Sequence, residues 1–263
     1  MSYQKPPIGS KINFGHSLAR GLIGCWLFNE GSGDKVFDYS GQSNHGTITN
    51  VAAQSATSGW NAAPRGGTHI FDGSNDYITI PSLISVPGDF SVLFWMMNNN
   101  TTSFDDIFYF SDNVSKLCEG VIYGSATPKY FYVRDASNNL AQAPTNISVR
   151  DGLYHFCVYT FIRSTTIGQS YTDSIAGVPF TGHLMPLTFA AATNFIAKQV
   201  NGAQFKGGIS SLFIFNRALS TSEIAYLYAF PYCMFDYQYP IYWGIGAPPP
   251  PPSGFTPRIT IIM

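Results

Sequence analysis

Paired carboxylates are the side chains of this sequence most able to do hydrolytic chemistry. Enzymes that cleave glycosidic bonds with retention hold two carboxyl groups about 5 to 5.5 Å apart. The glutamates are Glu30 in a predicted turn, Glu223 in a predicted helix cap, and Glu119, which has no acidic residue two or four positions away. Asp105 and Asp106 are adjacent, so a strand would direct them to opposite faces. The carboxylates therefore predict no catalytic pair, and we expect no enzymatic activity.

Two further carboxylates, Asp72 and Asp76, flank a Gly-Ser-Asn turn. Such carboxylates either close a loop by accepting backbone hydrogen bonds or coordinate a hard cation through oxygen. The loop-closing role is favoured, and it requires no cofactor. The alternative is a structural calcium ion bound by both side chains.

Aromatic side chains offer a third kind of chemistry, because flat rings stack on the faces of sugars. Aromatic residues make up 16% of the chain. The candidate glycan-binding residues lie on predicted strands that form one sheet face: Tyr109, Tyr123, Tyr130 and Tyr132. Residues 98–100 supply amide side chains nearby. The alternative places these tyrosines in the core or in a contact between subunits.

Short strands are the elements that must position these side chains. Apolar residues make up 45% of the sequence and charged residues 11%, against about 25% charged in an average soluble domain. The 25 glycines and 17 prolines, with the aromatic content, are typical of many strands joined by turns. The strand-like runs are 22–28, 68–71, 77–80, 90–97, 107–110, 121–123, 130–133, 154–161, 169–172, 194–197 and 208–215. The sequence therefore predicts an all-β fold, a two-sheet antiparallel jelly-roll sandwich.

One short helix is predicted near the end of the sandwich. Ser220-Thr221-Ser222-Glu223 is a capping box, in which the Ser220 hydroxyl and the Glu223 carboxylate satisfy each other's backbone N–H groups. Ile224 and Leu227 then fall on one helix face, and Pro231 ends the helix.

Four predicted segments make up the chain: an N-terminal extended arm (1–20), the jelly-roll domain (21–231), an aromatic extension (232–247) and a proline-rich tail with a β-prone end (248–263). We expect other chains to hold both ends in place. Five consecutive prolines at 248–252 adopt polyproline II, which acts as a stiff spacer. The β-prone end is suited to docking on a sheet edge of another subunit, and its alternative is a disordered tail.

The low charge of the sequence indicates which partners to expect. The formal net charge is -1, with 14 basic and 15 acidic residues and no basic cluster, which disfavours nucleic acid and anionic membranes. A surface with few charges and many aromatics promotes association. We therefore expect a homo-oligomer, with a trimer as the first expectation. The expected assembly contacts lie in the last two segments: Tyr239, Tyr242, Trp243, Ile259 and Ile261.

Four motifs occur in the order that is typical of one family of jelly rolls. They are G-L-I-G-C-W-L-F-N-E-G-S-G at 21–33, F-D-G-S-N-D-Y-I at 71–78, D-G-L-Y-H-F at 151–156, and the run 208–223. In these motifs the chain resembles a laminin-G-like jelly roll of the concanavalin A-like lectin/glucanase superfamily. The resemblance covers about residues 20 to 230 and implies the same fold. The pair Ser210-Ser211 stands where family members commonly carry an acidic residue.

The flanks are similar to those of such domains in tailed-phage (bacteriophage) and environmental viral sequences. The matching residues are 5–9, 16–21 and 227–235. This resemblance implies a non-enzymatic virion structural protein, a capsid decoration, head-fibre or tail-accessory subunit, with other virion proteins as partners. The alternative is a carbohydrate-binding adhesin for host-surface glycans, and a glycoside hydrolase is third. Because residues 1–22 contain no apolar run of signal-peptide length, we expect synthesis in the host cytoplasm and location in the virion.

Overall fold

A computed structural model gives the fold of the protein. It describes residues 4–50, 55–80, 88–100, 105–111, 117–122, 129–134, 140–143, 148–181, 193–198 and 204–236. Within them the chain forms a 3-10 helix (Ser17–Ala19), the α-helix α1 (Thr221–Ala229), and the strands β1 (Leu22–Trp26), β2 (Lys35–Val36), β3 (Gly46–Thr49), β4 (Gly59–Ala63), β5 (Gly66–Asp72), β6 (Tyr77–Ile80), β7 (Phe90–Asn98), β8 (Asp105–Ser111), β9 (Leu117–Ile122), β10 (Lys129–Arg134), β11 (Leu140–Ala143), β12 (Tyr154–Ile162), β13 (Ile167–Thr172), β14 (Ile175–Ala176), β15 (Phe180–Thr181), β16 (Thr193–Ile196) and β17 (Lys206–Phe215). Neither of these two helices has the length and apolar character needed to cross a membrane.

The strands form two antiparallel sheets. The nine-stranded sheet has the order β14-β13-β12-β7-β17-β5-β4, with β1 beside β17 and β15 beside β13. The eight-stranded sheet has the order β11-β10-β9-β8-β16-β6-β3-β2. β17 pairs with β7 in the first sheet and β16 pairs with β8 in the second, so strands far apart in sequence are neighbours. This arrangement confirms the predicted all-β jelly-roll sandwich.

Alternating side chains of the strands fill the space between the two sheets. On β7, Phe94 belongs to the cluster between the sheets, whereas Trp95 belongs to a second cluster on the outer side. Phe108 and Ile196, from the eight-stranded sheet, join Phe94 in the inner cluster. Burial of apolar area, worth roughly 25 cal/mol per Å², holds the two sheets together.

The outer side of the nine-stranded sheet is covered by segments near the ends of the described chain. Trp95 of β7 packs there in one cluster with Ile224 of α1. Ile12, from the predicted arm, joins this cluster and pairs with Phe235 in an antiparallel bridge. The arm thus packs through Ile12 on the domain's own sheet, and the expectation that other chains hold it stays a prediction. We call the nine-stranded sheet the covered sheet and the eight-stranded sheet the open sheet.

Lys5 anchors the arm where β1, β17 and β5 adjoin. Its Nζ donates hydrogen bonds to the carbonyl oxygens of Leu27, Gly67 and Ser210. Burial lowers the pKa of Lys5 to about 7, and the Glu30 carboxylate acts in the opposite direction. Because the three carbonyls belong to separate segments of the chain, this one side chain ties the arm to the covered sheet.

The helix α1 begins with the capping box that the sequence predicts. The Glu223 N–H donates to Ser220 Oγ at 3.3 Å, and the Ser220 N–H donates to Glu223 Oε2 at 2.8 Å. Arg217 holds the same carboxylate, with its Nη2 2.8 Å from Glu223 Oε1. The helix ends at Ala229, shortly before Pro231. The predicted capping box is thus confirmed.

Candidate functional site

The outer face of the open sheet is covered neither by α1 nor by the described part of the arm. On β6, Ile78 and Ile80 are buried in the inner cluster. Tyr77 and Thr79 alternate with them and are half-exposed on the other side of the sheet. We call this surface the open face. Its half-exposed side chains on the strands are Thr47, Thr49, Tyr77, Thr79, Tyr109 and Phe195.

One register row crosses the open sheet from edge to edge. Each strand contributes one position, and direct backbone pairing connects each position to the next. In sheet order the positions are Gln142, Tyr132, Glu119, Tyr109, Phe195, Thr79, Thr47 and Lys35. Adjacent strands lie about 4.8 Å apart, so the row extends over roughly 34 Å. Aromatic, amide, hydroxyl and charged residue types therefore follow one another along a single line.

Three aromatic residues occupy the centre of the open face, on the adjacent strands β6, β16 and β8. Phe195 lies directly opposite Tyr109 in register. The ring centroids of Tyr77 and Phe195 are 5.5 Å apart, with their planes at 84°. Cross-strand aromatic pairs of this kind stabilise one another. We call Tyr77, Phe195 and Tyr109 the aromatic platform.

Lys198 places a positive charge beside the aromatic platform. Its Nζ lies 3.9 Å from the centroid of the Tyr77 ring and 5.1 Å from that of the Phe195 ring. The negative faces of aromatic rings attract cations at such distances. No carboxylate of the described residues lies within 4.0 Å of this ammonium group. The two rings hold the lysine in position while its charge stays unneutralised by these residues.

The candidate tyrosines from the sequence lie at different places. Tyr109 is part of the aromatic platform and is half-exposed. Tyr132 occupies the register row, and Tyr130 lies two positions before it on β10. Tyr123 lies outside the described residues. The expected assembly contacts also lie outside them: Tyr239, Tyr242, Trp243, Ile259 and Ile261.

Sequence reasoning misses Tyr77, Phe195 and Lys198. The pattern Tyr-Ile-Thr-Ile at 77–80 contains a usable signal, because its alternation assigns Tyr77 and the isoleucines to opposite faces. Lys198 carries no such signal. Ala197, between β16 and this lysine, adopts a left-handed φ of 68°, which interrupts the strand alternation.

The asparagines expected beside the tyrosines are engaged elsewhere. Asn98 Nδ2 donates to Asp105 Oδ2, and Asn100 Nδ2 donates to Asp105 Oδ1, each at 3.0 Å. Arg150 Nη2 lies 3.4 Å from the same carboxylate. Burial raises the pKa of Asp105, while these hydrogen bonds act in the opposite direction. The amides of Asn98 and Asn100 therefore serve a buried carboxylate rather than the open face.

Asp72 and Asp76 form hydrogen bonds within their own turn and its surroundings. Asp72 Oδ1 accepts from the N–H groups of Ser74 and Asn75, at 2.7 and 3.3 Å. Asp76 Oδ2 accepts from the Ser58 hydroxyl at 2.6 Å. Burial raises the pKa of Asp76. These are bonds of the loop-closing kind, and among the described residues no group of three or more His, Cys, Asp or Glu side chains could hold a metal ion.

A carboxylate–histidine–carboxylate chain joins the start of β12 to the end of β13. His155 Nδ1 lies 2.6 Å from Asp173 Oδ2, and its Nε2 lies 3.1 Å from both oxygens of Asp151. Asp173 also accepts the Phe156 N–H at 2.8 Å. The hydrogen bond to Asp173 raises the pKa of His155, although burial opposes it. This chain pins the two strands together and lies on the covered sheet.

The two-sheet architecture and the position of α1 are those of a concanavalin A-like jelly roll. The family model for the concanavalin A-like lectin/glucanases superfamily (Laminin_G_3) matches residues 72–225, more than half of the chain. The chain belongs to this superfamily, which confirms the resemblance found in the sequence motifs. A comparison with curated proteins found no match.

Solved structures share this fold at low sequence identity. Domain 4 of AbnA, a GH43 extracellular arabinanase from Geobacillus stearothermophilus, in complex with arabinotriose, has a TM-score of 0.62 and 17% identity, over 78% of this chain and 97% of that chain. The binding domain of Paraclostridial Mosquitocidal Protein 1 has a TM-score of 0.62 and 14% identity, over 82% and 54% of the two chains. The binding domain of Botulinum Neurotoxin DC in complex with SialylT has a TM-score of 0.57 and 13% identity, over 81% and 52%. The chain thus spans about half the length of the two toxin structures.

Proposed function

We propose that the protein is a non-catalytic carbohydrate-binding domain and that a glycan binds along the open face. The observation that supports this most directly is the aromatic platform, whose three rings are half-exposed on adjacent strands. Aromatic rings that remain partly exposed on a sheet face are available for contact with a ligand. Flat rings spaced by the strand separation offer stacking surfaces to successive sugar residues.

Hydroxyl groups beside the rings supply the polar half of such a site. Thr79 lies directly opposite Phe195, and Thr47 lies directly opposite Thr79. A threonine hydroxyl both donates and accepts hydrogen bonds, as the hydroxyl groups of sugars do. The combination of apolar rings with a few positioned polar groups is typical of small-molecule sites.

The solved structures with the same fold support this proposal. The arabinanase domain is in complex with arabinotriose, and the neurotoxin binding domain is in complex with SialylT. At identities of 17% and 13% they share the fold with this chain. They support the proposal that this fold binds a carbohydrate here, and they do not indicate which sugar is bound.

The proposal that the domain is non-catalytic rests on the structural roles of the described carboxylates. Glu30 Oε1 accepts the Phe37 N–H at 2.8 Å, and Glu223 caps α1. Asp105 is buried and bound by its asparagines and arginine. Each of these groups has a local structural role, so none is poised as half of a hydrolytic pair.

The test is glycan binding by the full chain and by variants of the platform. Wild-type protein is screened on a glycan array, and the strongest ligand is then titrated by calorimetry. Phe195→Ala should weaken binding by about tenfold or more, because a buried contact ring contributes on the order of 1.4 kcal/mol or more at an interface. Phe14→Ala is the matched control, since Phe14 is 60% exposed but lies on the arm.

The control should bind as tightly as wild type, and both variants should keep the wild-type far-UV spectrum. An array on which no glycan binds above background would overturn the proposal. Equal affinity of wild type and Phe195→Ala for the best ligand would overturn the assignment of the site.

We also propose, as a second function compatible with the first, that the protein is a virion structural subunit. Besides the viral-type flanks of the sequence, an exposed apolar pair at one end of the β12–β13 hairpin of the covered sheet supports a subunit contact. Ile162 is 39% exposed and Ile167 is 45% exposed. Ile162 and Ile167 lie directly opposite each other in the β12–β13 hairpin.

Light scattering on a sizing column tests the subunit contact. Wild type should run as a homo-oligomer, with a trimer expected first, and the double variant Ile162→Ser, Ile167→Ser should dissociate. Leu153→Ser is the control, because Leu153 is 62% exposed just before the opposite end of β12. A monomeric wild-type protein would overturn this second proposal. Failure to detect the protein by mass spectrometry in purified virions would overturn it as well.

A further inference from the structure

The charges on the open face indicate what kind of sugar it would accept. Lys198 contacts the rings of Tyr77 and Phe195 and forms no ion pair with the described carboxylates. Lys35 ends the register row and donates its Nζ hydrogen to Thr47 Oγ1 at 2.7 Å. Positive groups therefore stand both beside the aromatic platform and at one edge of the sheet.

Among the described residues, the acidic residues of the same sheet are buried or lie away from Lys198 in register. Asp106 is 1% exposed, so its carboxylate is not presented to a ligand. Glu119 holds the row position opposite Tyr109, on the side of the platform away from β6. The Tyr77–Phe195 end of the platform is therefore the electropositive end.

We propose that the open face selects glycans that carry an anionic group, and that the Lys198 ammonium pairs with that group while a sugar ring stacks on Phe195. This inference rests on the carbohydrate-binding function proposed above and names its substrate class. The charge complementarity is local, because Lys198 Nζ and the Phe195 ring are 5.1 Å apart, within the reach of one sugar residue and its substituent.

The two rings prepare Lys198 for this role. A free surface lysine loses side-chain entropy when it pairs with a ligand. The contacts with Tyr77 and Phe195 already restrict this side chain, so less freedom is lost on binding. Ring faces attract an ammonium group only weakly at an exposed site. An anionic substituent of a bound sugar can therefore form an ion pair with the Lys198 ammonium group at little cost.

The experiment compares matched glycans that differ in one anionic group. The probes are sialylated and desialylated, uronate and methyl-esterified, and sulfated and desulfated oligosaccharides, titrated against the full chain. The acidic member of at least one pair should bind roughly three- to tenfold more tightly than its neutral match, as expected for a partly exposed ion pair. The pairs that show the effect identify carboxylate or sulfate as the group recognised.

Lysine variants show which residue is responsible for the preference for acidic probes. Lys198→Met should abolish the preference, so that the acidic and the neutral probe bind with equal affinity. Lys198→Arg should keep the preference, since it keeps the charge. Lys11→Met is the control and should keep it as well, because Lys11 is exposed on the arm, beside Ile12 of the covered sheet's outer cluster.

Salt dependence gives an independent readout. The affinity for the acidic probe should fall as sodium chloride rises from about 0.05 to about 0.5 M, whereas the neutral probe should be little affected, because salt screens exposed charges. Equal binding of acidic and neutral probes by wild type would overturn this inference while the carbohydrate-binding proposal stands. Binding of none of the probes and of no array glycan would overturn both, and a preference that persists in Lys198→Met would overturn the role of Lys198.

Discussion

Phe195 of β16 lies directly opposite Tyr109 of β8 on the open face. The two residues are far apart in sequence, because a long connection separates β8 from β16. The pairing of these two strands makes them neighbours. Directly opposed side chains have Cβ atoms about 4.5 to 5.5 Å apart, so the two residues lie side by side on one face of the sheet. The glycan site proposed for this protein is centred on that pair.

Tyr109 should bind through its ring rather than through its hydroxyl. We expect Tyr109→Phe to keep glycan affinity within about twofold and Tyr109→Ala to lose about tenfold, because only the second change removes the stacking surface. Calorimetric titration with the best array ligand measures both. The melting temperature should change little, since the residue is half-exposed. Equal affinities of the two variants would contradict the stacking role.

The His155–Asp173 pair should make the fold less stable at alkaline pH. The hydrogen bond to Asp173 raises the pKa of His155 above 6.5 in the folded state. The stabilisation is therefore complete below the unfolded-state pKa and is lost as the pH rises through the folded-state pKa. Urea unfolding from about pH 6 to about pH 9 should show this loss.

The variant His155→Gln should show a smaller decrease over the same pH interval, because its side chain does not titrate. An identical pH profile for wild type and His155→Gln would rule out the proposed cause.

His69 should make the fold sensitive to acid. It packs in the inner side of β5, with ring centroids 5.0 Å from Trp60 and 4.7 Å from Phe71. Burial lowers the pKa of His69 from 6.5 to about 4. Because the unfolded chain binds the proton more tightly, stability falls as the pH drops from the unfolded-state pKa toward the folded-state pKa, by up to about 3 kcal/mol.

Unfolding free energies of wild type and His69→Leu at about pH 7 and about pH 4.5 measure this contribution. The leucine variant should lose less stability on acidification, because it has no imidazole to protonate. Carboxylates contribute equally in both proteins, so the difference isolates His69. If both proteins lose the same amount, the acid sensitivity has another origin.

Lys5 should be required for the arm to stay on the covered sheet. Lys5→Met removes the donor to three carbonyl oxygens, and we expect a loss of about 1 to 3 kcal/mol of unfolding free energy. Cleavage of the arm by protease should become faster at the same time. Lys11→Met, at an exposed arm position, is the control; equal protease resistance of the two variants would refute the anchoring role.

Chelation should leave the melting temperature unchanged if Asp72 and Asp76 serve only to close their loop. A bound structural calcium ion held far above its dissociation constant would add a few kcal/mol to the native state, so its removal would lower the melting temperature by several degrees. Thermal unfolding with excess calcium and with excess chelator separates the two roles. A fall that added calcium reverses would establish the calcium alternative.

Local patterns in the sequence predict much of the fold correctly. The run 77–80 coincides with β6, and the capping box at Ser220 begins α1 where the sequence puts it. Both depend on neighbouring residues only: strand alternation in the first case, satisfaction of free N–H groups in the second. The short strands β2, β14 and β15 escape prediction, because two residues acquire strand structure only from the partner strand beside them.

The candidate site is different, because tertiary structure decides its composition. The sequence alone determines that the chain is rich in aromatics and that Tyr109 and Tyr132 lie on strands. Only the pairing of β8 with β16 and of β16 with β6 brings Tyr109, Phe195 and Tyr77 together. Likewise, only tertiary packing places the described part of the arm and α1 on one sheet, so that neither of them covers the outer face of the other sheet. Register and coverage are set by contacts between residues far apart in the chain, which local sequence patterns do not encode.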